Sequence, residues 1–501
     1  MTASDQRPVV PGFHPDPSVC VVDGVAYLAN STFEYAPGVP IHASTDFRTW
    51  TLVGHALHRP DQLPLTGTGP SGGIFAPTLR HHDGRFWMIT TNVADEQGQV
   101  LVTAEDAAGP WSEAIRIPGI DGIDPDIAWG EDGTCYVTYA GRTGIVQVEI
   151  DPATGEVLTE PRLLWSGTGG KFPEGPHLLE HDGHWYLLIA EGGTERGHSV
   201  SIARGPSPSG PFTGAPTNPI LTRRGTSSSV QSTGHSELVE TAPGVWALVY
   251  LAVRPRGSSP EWHVLGRETF ASAVEWVDGW PVVGEPIEQP AQPSRETLVR
   301  GEALPPTWVG DEVFPADVVE SSDRGWTLTA SGSEEVFVGR RQDRLFFAAR
   351  AALTTTGEAA LTLRIDRRHR FRLELEGDRL RTVLVVGGHR VVLDERASIA
   401  GAEYEIRTLP VEGGFFEARG PDHVVGGVVV DGVVTETGRA DGRYLSTEVA
   451  GGMTGRLIGI EAGVGTAELT AFRYVGSDEP LAEPFLAEPF PVEQLEETTV
   501  S

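Results

Sequence analysis

Three carboxylates in this chain are set apart by the backbone that carries them. Asp16 lies between two prolines in Phe13-His14-Pro15-Asp16-Pro17-Ser18, and Asp124 precedes a proline in Ile123-Asp124-Pro125-Asp126. Glu174 opens Glu174-Gly175-Pro176-His177. Proline fixes its own φ at about −65° and pushes the preceding residue out of the right-handed helical region. Asp16 is therefore expected on a stiff, extended segment, a mount that suits a catalytic carboxylate and a turn residue equally. Asp124 is favoured over Asp126 as the inward-facing residue, because a proline follows it directly. Cleavage of a glycosidic bond needs two carboxyl groups held in unlike states, one ionised and one protonated. Glu174, with Phe172 nearby to exclude water and the charge of Asp124 to raise its pKa, is the candidate acid. Asp16 is the candidate base that takes a proton from water.

These residues recur at the start of a repeated unit. Residues 14–30, 76–92, 124–140, 174–190 and, more loosely, 234–250 each show a polar or proline-bearing start, a short apolar run, a tight turn and an aromatic run. The turns are Asp23-Gly24, Asp83-Gly84, Asp132-Gly133, Asp182-Gly183 and Pro243-Gly244. Asp-Gly between apolar runs marks a β-hairpin. The copies start roughly 50 to 60 residues apart, the spacing of four-stranded propeller blades. Five copies predict five blades, with Asp16, the Phe75-Ala76 pair, Asp124, Glu174 and His235 facing one another at one mouth of the central channel. Like charges crowded there destabilise the fold unless they have a task.

The residues around that mouth carry open readings. The loop Ser31–Pro40 with Phe33 and Tyr35 reads either as an aromatic wall for a sugar ring or as packing between blades. The turn Glu191-Gly192-Gly193-Thr194 is placed to reach the mouth. His235 reads as a structural histidine or a ligand, and Arg267 as a clamp in the mouth or an ion pair with Glu268. His55 and His58 read as surface residues.

A chain of 501 residues exceeds one core. Its 61 glycines and 38 prolines, with few helical patterns, favour an all-β protein. We expect a propeller over 1–290, a linker over 291–312, a β-sandwich over 313–476 and an acidic, proline-rich tail over 477–501. The net charge of −31 argues against nucleic acid and anionic membranes as partners. Cys20 and Cys135 read as reduced, buried thiols with no metal spacing. No apolar run suggests a signal peptide or a membrane span, so a cytoplasmic protein is expected. An oligosaccharide is the expected partner, with a homo-oligomer possible and no cofactor required.

With these residues laid out, the chain resembles glycoside hydrolase family 43, in its β-xylosidase and α-L-arabinofuranosidase group. The matching strings include GFHPDPS (12–18), SGGIFAP (71–77), GIDPD (122–126), EGPHL (174–178), AEGGT (190–194), TGHSELV (233–239) and GRET (266–269). RYLSTEVAGGMTGRLIGIEA (443–462) extends the likeness into the second domain. The resemblance implies a five-bladed β-propeller followed by a jelly-roll-like β-sandwich. It implies an inverting exo-glycosidase that releases terminal β-1,4-linked xylose, with an arabinofuranosidase or bifunctional enzyme as the alternative and a non-catalytic sugar-binding propeller behind both. Asp16 would be the general base, Glu174 the general acid, and Asp124 the residue that tunes Glu174 and orients substrate. Phe33, Phe75, Ala76, Thr194, His235 and Arg267 would line the sugar site, with His235 near a water-bound calcium in some relatives. Relatives read Gly-Ile-Trp-Ala-Pro-His where this chain has Gly-Ile-Phe-Ala-Pro-Thr at 73–78. The smaller face of Phe75 leaves xylose against arabinose open.

Overall fold

The computed structural model describes residues 6–95, 98–330, 335–413 and 417–481. Up to residue 287 it forms five antiparallel sheets in chain order, which are the blades of a five-bladed β-propeller. Their innermost strands are Ser18–Val22, Ile74–His82, Ile123–Trp129, Glu174–His181 and Gln231–Ala242. Beyond it, a sheet of eight strands and one of seven stack as a β-sandwich.

Blade strands are apolar on both faces because each blade is covered by its two neighbours. The strand Val245–Val253 shows the consequence. Trp246, Leu248, Tyr250 and Ala252 enter the core shared with blade four. Ala247 and Val249 enter the core shared with blade one. Four of the five hairpins close with two-residue turns, pairing Val22 with Val25, His82 with Arg85, His181 with His184 and Ala242 with Val245. At Asp23-Gly24, Asp83-Gly84 and Asp182-Gly183 both residues have positive φ, the geometry that matches strand twist. Blade three differs, since Trp129 pairs with Cys135 and a longer loop connects its strands.

The stretch expected as a linker carries structure of its own. Ser294–Thr297 pairs with the long strand Thr466–Ser477, and Trp308–Asp311 pairs with Val336–Arg341. The loop expected as a sugar wall or blade packing does something else as well. Its Tyr35–Ala36 pairs with Gly310 and Asp311, adding an edge strand to a sandwich sheet. Phe13, Phe33, Tyr35, Val309, Phe337 and Leu457 form one apolar cluster across the seam. The two domains are therefore joined by shared sheet and shared core. Residues 482–501, most of the expected tail, lie outside the described residues. Among the described residues no helix is long and apolar enough to cross a membrane.

Candidate active site

The mouth residues are mounted on irregular starts of the innermost strands. Register shifts fall between Ile74 and Pro77, Ile123 and Asp126, Glu174 and His177, and Gly234 and Ser236. Asp16, Asp124 and His235 take positive φ values of 53°, 55° and 40°. The extended mount expected for Asp16 is thus corrected. A following proline excludes the right-handed helical region, and these aspartates use the left-handed one instead, which Asp tolerates better than most residues. In blade four the left-handed position falls on Gly175, with φ 56°. A Cβ there would lie 2.8 Å from the His235 ring, so only glycine lets blades four and five close this tightly.

Asp16 is buried and fully engaged. Arg267 Nη1 donates to its Oδ1 at 2.9 Å, and Ser31 Oγ donates to its Oδ2 at 2.5 Å. His235 Nδ1 lies 3.7 Å from the same Oδ1. Burial alone would raise the Asp16 pKa, but Arg267, His235 and Ser31 together outweigh it and hold the carboxyl below its ordinary value. Asp124 shows the opposite balance. Burial first, then the charges of Glu174 and Asp16, push its pKa well up. Its Oδ2 accepts from Gly175 N at 3.3 Å, which fixes the backbone next to Glu174. The Glu174 side chain keeps 22% of its surface exposed and lies 3.6 Å from His198 Nε2. Burial drives the His235 pKa down to about 4, so its imidazole is neutral near pH 7.

Arg267 turns into the mouth; Glu268 pairs instead with Arg254 at 2.7 Å. The Arg267 guanidinium also donates to Thr194 Oγ1 at 3.3 Å and to the Met453 carbonyl at 3.5 Å. Met453 comes from the sandwich, so both domains contribute to the mouth. Phe33 is buried with its ring beneath Arg267, 5.5 Å from the guanidinium carbon, and 5.2 Å from the Phe75 ring. Phe75 is half-buried at the mouth, while Ala76 is enclosed in its strand. Phe172 is 64% exposed and so does not seal Glu174 from water.

Asp126 faces the axis as well, one layer below Asp124. It belongs to a ring with one residue from each blade. Arg80 pairs with both Asp126 and Glu237, and Ser18 Oγ donates to Glu237 Oε2 at 2.7 Å. His177 Nδ1 lies 3.7 Å from Asp126 and 3.8 Å from Glu237. The sequence reading missed this ring, along with Ser31, His198 and Met453. Period-two spacing from the mouth residues (16 to 18, 124 to 126, 235 to 237) was the available signal. Among the described residues no three His, Cys, Asp or Glu side chains converge as metal ligands. No step below runs through a metal.

The chain matches the family described as glycosyl hydrolases family 43 over residues 6–281, more than half its length. It is 34% identical to a Bacteroides ovatus protein named as a non-reducing end alpha-L-arabinofuranosidase, over 91% of each chain. It is 44% identical to a Butyrivibrio fibrisolvens xylosidase/arabinosidase, over 55% of this chain and 56% of that one. The crystal structure of a xylan beta-1,4-xylosidase from Bacillus halodurans superposes with TM-score 0.83 at 28% identity, covering 94% of this chain and all of the other. A propeller of this form, fused to a sandwich and carrying this mouth, makes the chain a glycoside hydrolase that belongs to glycosyl hydrolases family 43.

Proposed function

We propose that the chain is an inverting exo-β-xylosidase acting on xylo-oligosaccharides, with Asp16 as general base and Glu174 as general acid. The observation that carries this reading is the unequal treatment of neighbouring carboxyl groups. The Asp16 carboxyl is held below its ordinary pKa by Arg267, His235 and Ser31, while burial and neighbouring charges push that of Asp124, beside Glu174, well up. The Asp16 carboxylate takes a proton from water as that water's oxygen bonds to the anomeric carbon. The bond from that carbon to the leaving oxygen breaks on the opposite face, and Glu174 gives its proton to that oxygen. Asp124 holds the Gly175 N–H, and with it the backbone that aims Glu174. Carboxyl groups in inverting enzymes stand about 6.5–9.5 Å apart to admit the water.

The second reading, an α-L-arabinofuranosidase using the same residues, is favoured by the name of the Bacteroides ovatus relative. Initial rates on 4-nitrophenyl β-xyloside and α-L-arabinofuranoside separate the two. A clear preference for the arabinofuranoside would overturn the primary reading. Proton NMR of the xylose first released from 4-nitrophenyl β-xyloside tests the stereochemistry: α-xylose is expected, and β-xylose as the first product sinks inversion.

A further inference from the structure

The seam between propeller and sandwich buries a cation that has no counter-charge among the described residues. Arg341 ends the strand Val336–Arg341 and is only 6% exposed. Among the described residues it takes part in no ion pair, and its Nε and Nη2 find no hydrogen-bond partner. Its neighbour Arg340 is a contrast, paired with Asp343 at 2.8 Å and with Glu296 at 3.3 Å. Around Arg341 stand the Phe13 ring, 5.5 Å from the guanidinium carbon, and three imidazoles. His14 meets His42 edge to face at 5.1 Å. His55, expected at the surface, is buried beside them. Burial first, then the Arg341 charge, drives His42 and His55 down to about 3, so both are neutral donors. His42 Nδ1, His55 Nε2 and Tyr35 Oη are also without partners. Beside these groups lies a cleft of about 200 Å³ lined by His14, His42, Gln289, Thr307, Arg340 and Arg341. Asp343 lines it too, but its charge is met by Arg340.

Burying a lone cation costs several kcal/mol, and orphaned donors add to that. Water would satisfy the donors and leave the charge. A small inorganic anion answers both, since the guanidinium and the His42 N–H donate, while His14 spends its own N–H on the Pro11 carbonyl at 3.0 Å. We propose that this cleft is a binding site for chloride, held by Arg341 from the sandwich and by His42 from the propeller, and that the ion fastens the two domains. The site is independent of the mouth, because Asp16, Asp124 and Glu174 take no part in it.

The test is calorimetric melting of the full chain near pH 7 at constant ionic strength, with gluconate progressively replaced by chloride. A saturating rise in Tm of about 2 °C is expected, and Arg341→Met should abolish it. A bromide-soaked crystal should show an anomalous peak within hydrogen-bonding reach of the Arg341 guanidinium. The proposal is overturned by a flat Tm, by a rise that survives in Arg341→Met, or by a cleft without bromide. Should Arg341→Met fail to fold, the bromide position in the intact protein decides.

Discussion

Two rings of side chains cross the propeller axis one layer apart, and they are built on opposite principles. The lower ring, Ser18, Arg80, Asp126, His177 and Glu237, gives its carboxylates full sets of partners. One guanidinium bridges two carboxylates, and the second oxygens of those carboxylates accept backbone or hydroxyl hydrogen bonds. The upper ring, Asp16, Asp124, Glu174 and His235, carries three carboxyl groups, with Arg267 as the guanidinium bound to one of them. Buried polar groups that are fully satisfied hold a structure together, whereas carboxyl groups left in tension are free to change protonation. The same strands thus supply a clamp and, two or three residues earlier, a reactive centre.

Substitution should separate the two rings. Asp16→Asn removes the proposed base and should lower kcat on xylobiose by about 10²–10⁴-fold. Glu174→Gln should lose as much on xylobiose and far less on 4-nitrophenyl β-xyloside, whose leaving group needs little protonation. Equal losses on both substrates would count against the acid role. Arg80→Met should act in the other sense. Leaving two buried carboxylates unpaired costs about 3–5 kcal/mol, read as a lower midpoint in urea. Its kcat per folded molecule should stay within a few-fold of the parent, and a collapse of kcat at full stability would erase the distinction between the rings.

The architecture was legible in the sequence because its signals are local. Asp-Gly turns between apolar runs gave the hairpins, and their spacing gave the blades. The two rings were harder to see. Whether Asp124 or Asp126 faces the axis looked like a choice, yet both do, since residues two apart share a face and the bulge at each strand start only changes their depth. The proline rule excluded one backbone region for Asp16 and could not choose between the two that remained. Ser31 and Met453 reach Arg267 and Asp16 through tertiary placement alone, and no periodicity announces that. The strands at 294–297 and 308–311 hid in a proline-rich stretch because they are short and pair with distant partners.

Within the upper ring, pH should pull Asp124 and Asp16 apart. The pKa of Asp124 is raised in the fold, so the native state keeps a proton that the unfolded chain releases above the ordinary carboxylate range, about 3.9. Stability is lost as pH rises from that range through the raised value. Asp124→Asn removes the loss and should melt higher than the parent at pH 7, with the gain shrinking as pH falls toward 4. Asp16 has the opposite sign. Its lowered pKa contributes stability above the ordinary range, and that is lost only as pH falls through the lowered value. Asp16→Asn, which also strands Arg267, should therefore melt lower than the parent at pH 7, by the equivalent of about 0.5–3 kcal/mol. Finding both variants shifted in the same direction would contradict the unequal environments on which the proposed mechanism depends.

The smallest effect expected is also the most local. Ser31 Oγ donates to Asp16 Oδ2, a hydrogen bond that favours the ionised carboxyl. Such a bond is worth about 0.5–1.5 kcal/mol, and 1.36 kcal/mol corresponds to one pKa unit. Ser31→Ala should move the acidic limb of kcat/KM upward by about half a unit to one unit, because Asp16 then protonates at higher pH. The plateau rate above that limb should change little, since Arg267 still holds Asp16 in place. An unmoved limb with a lowered plateau would mean that Ser31 positions the carboxylate rather than setting its charge. The acidic limb would then belong to a group other than Asp16.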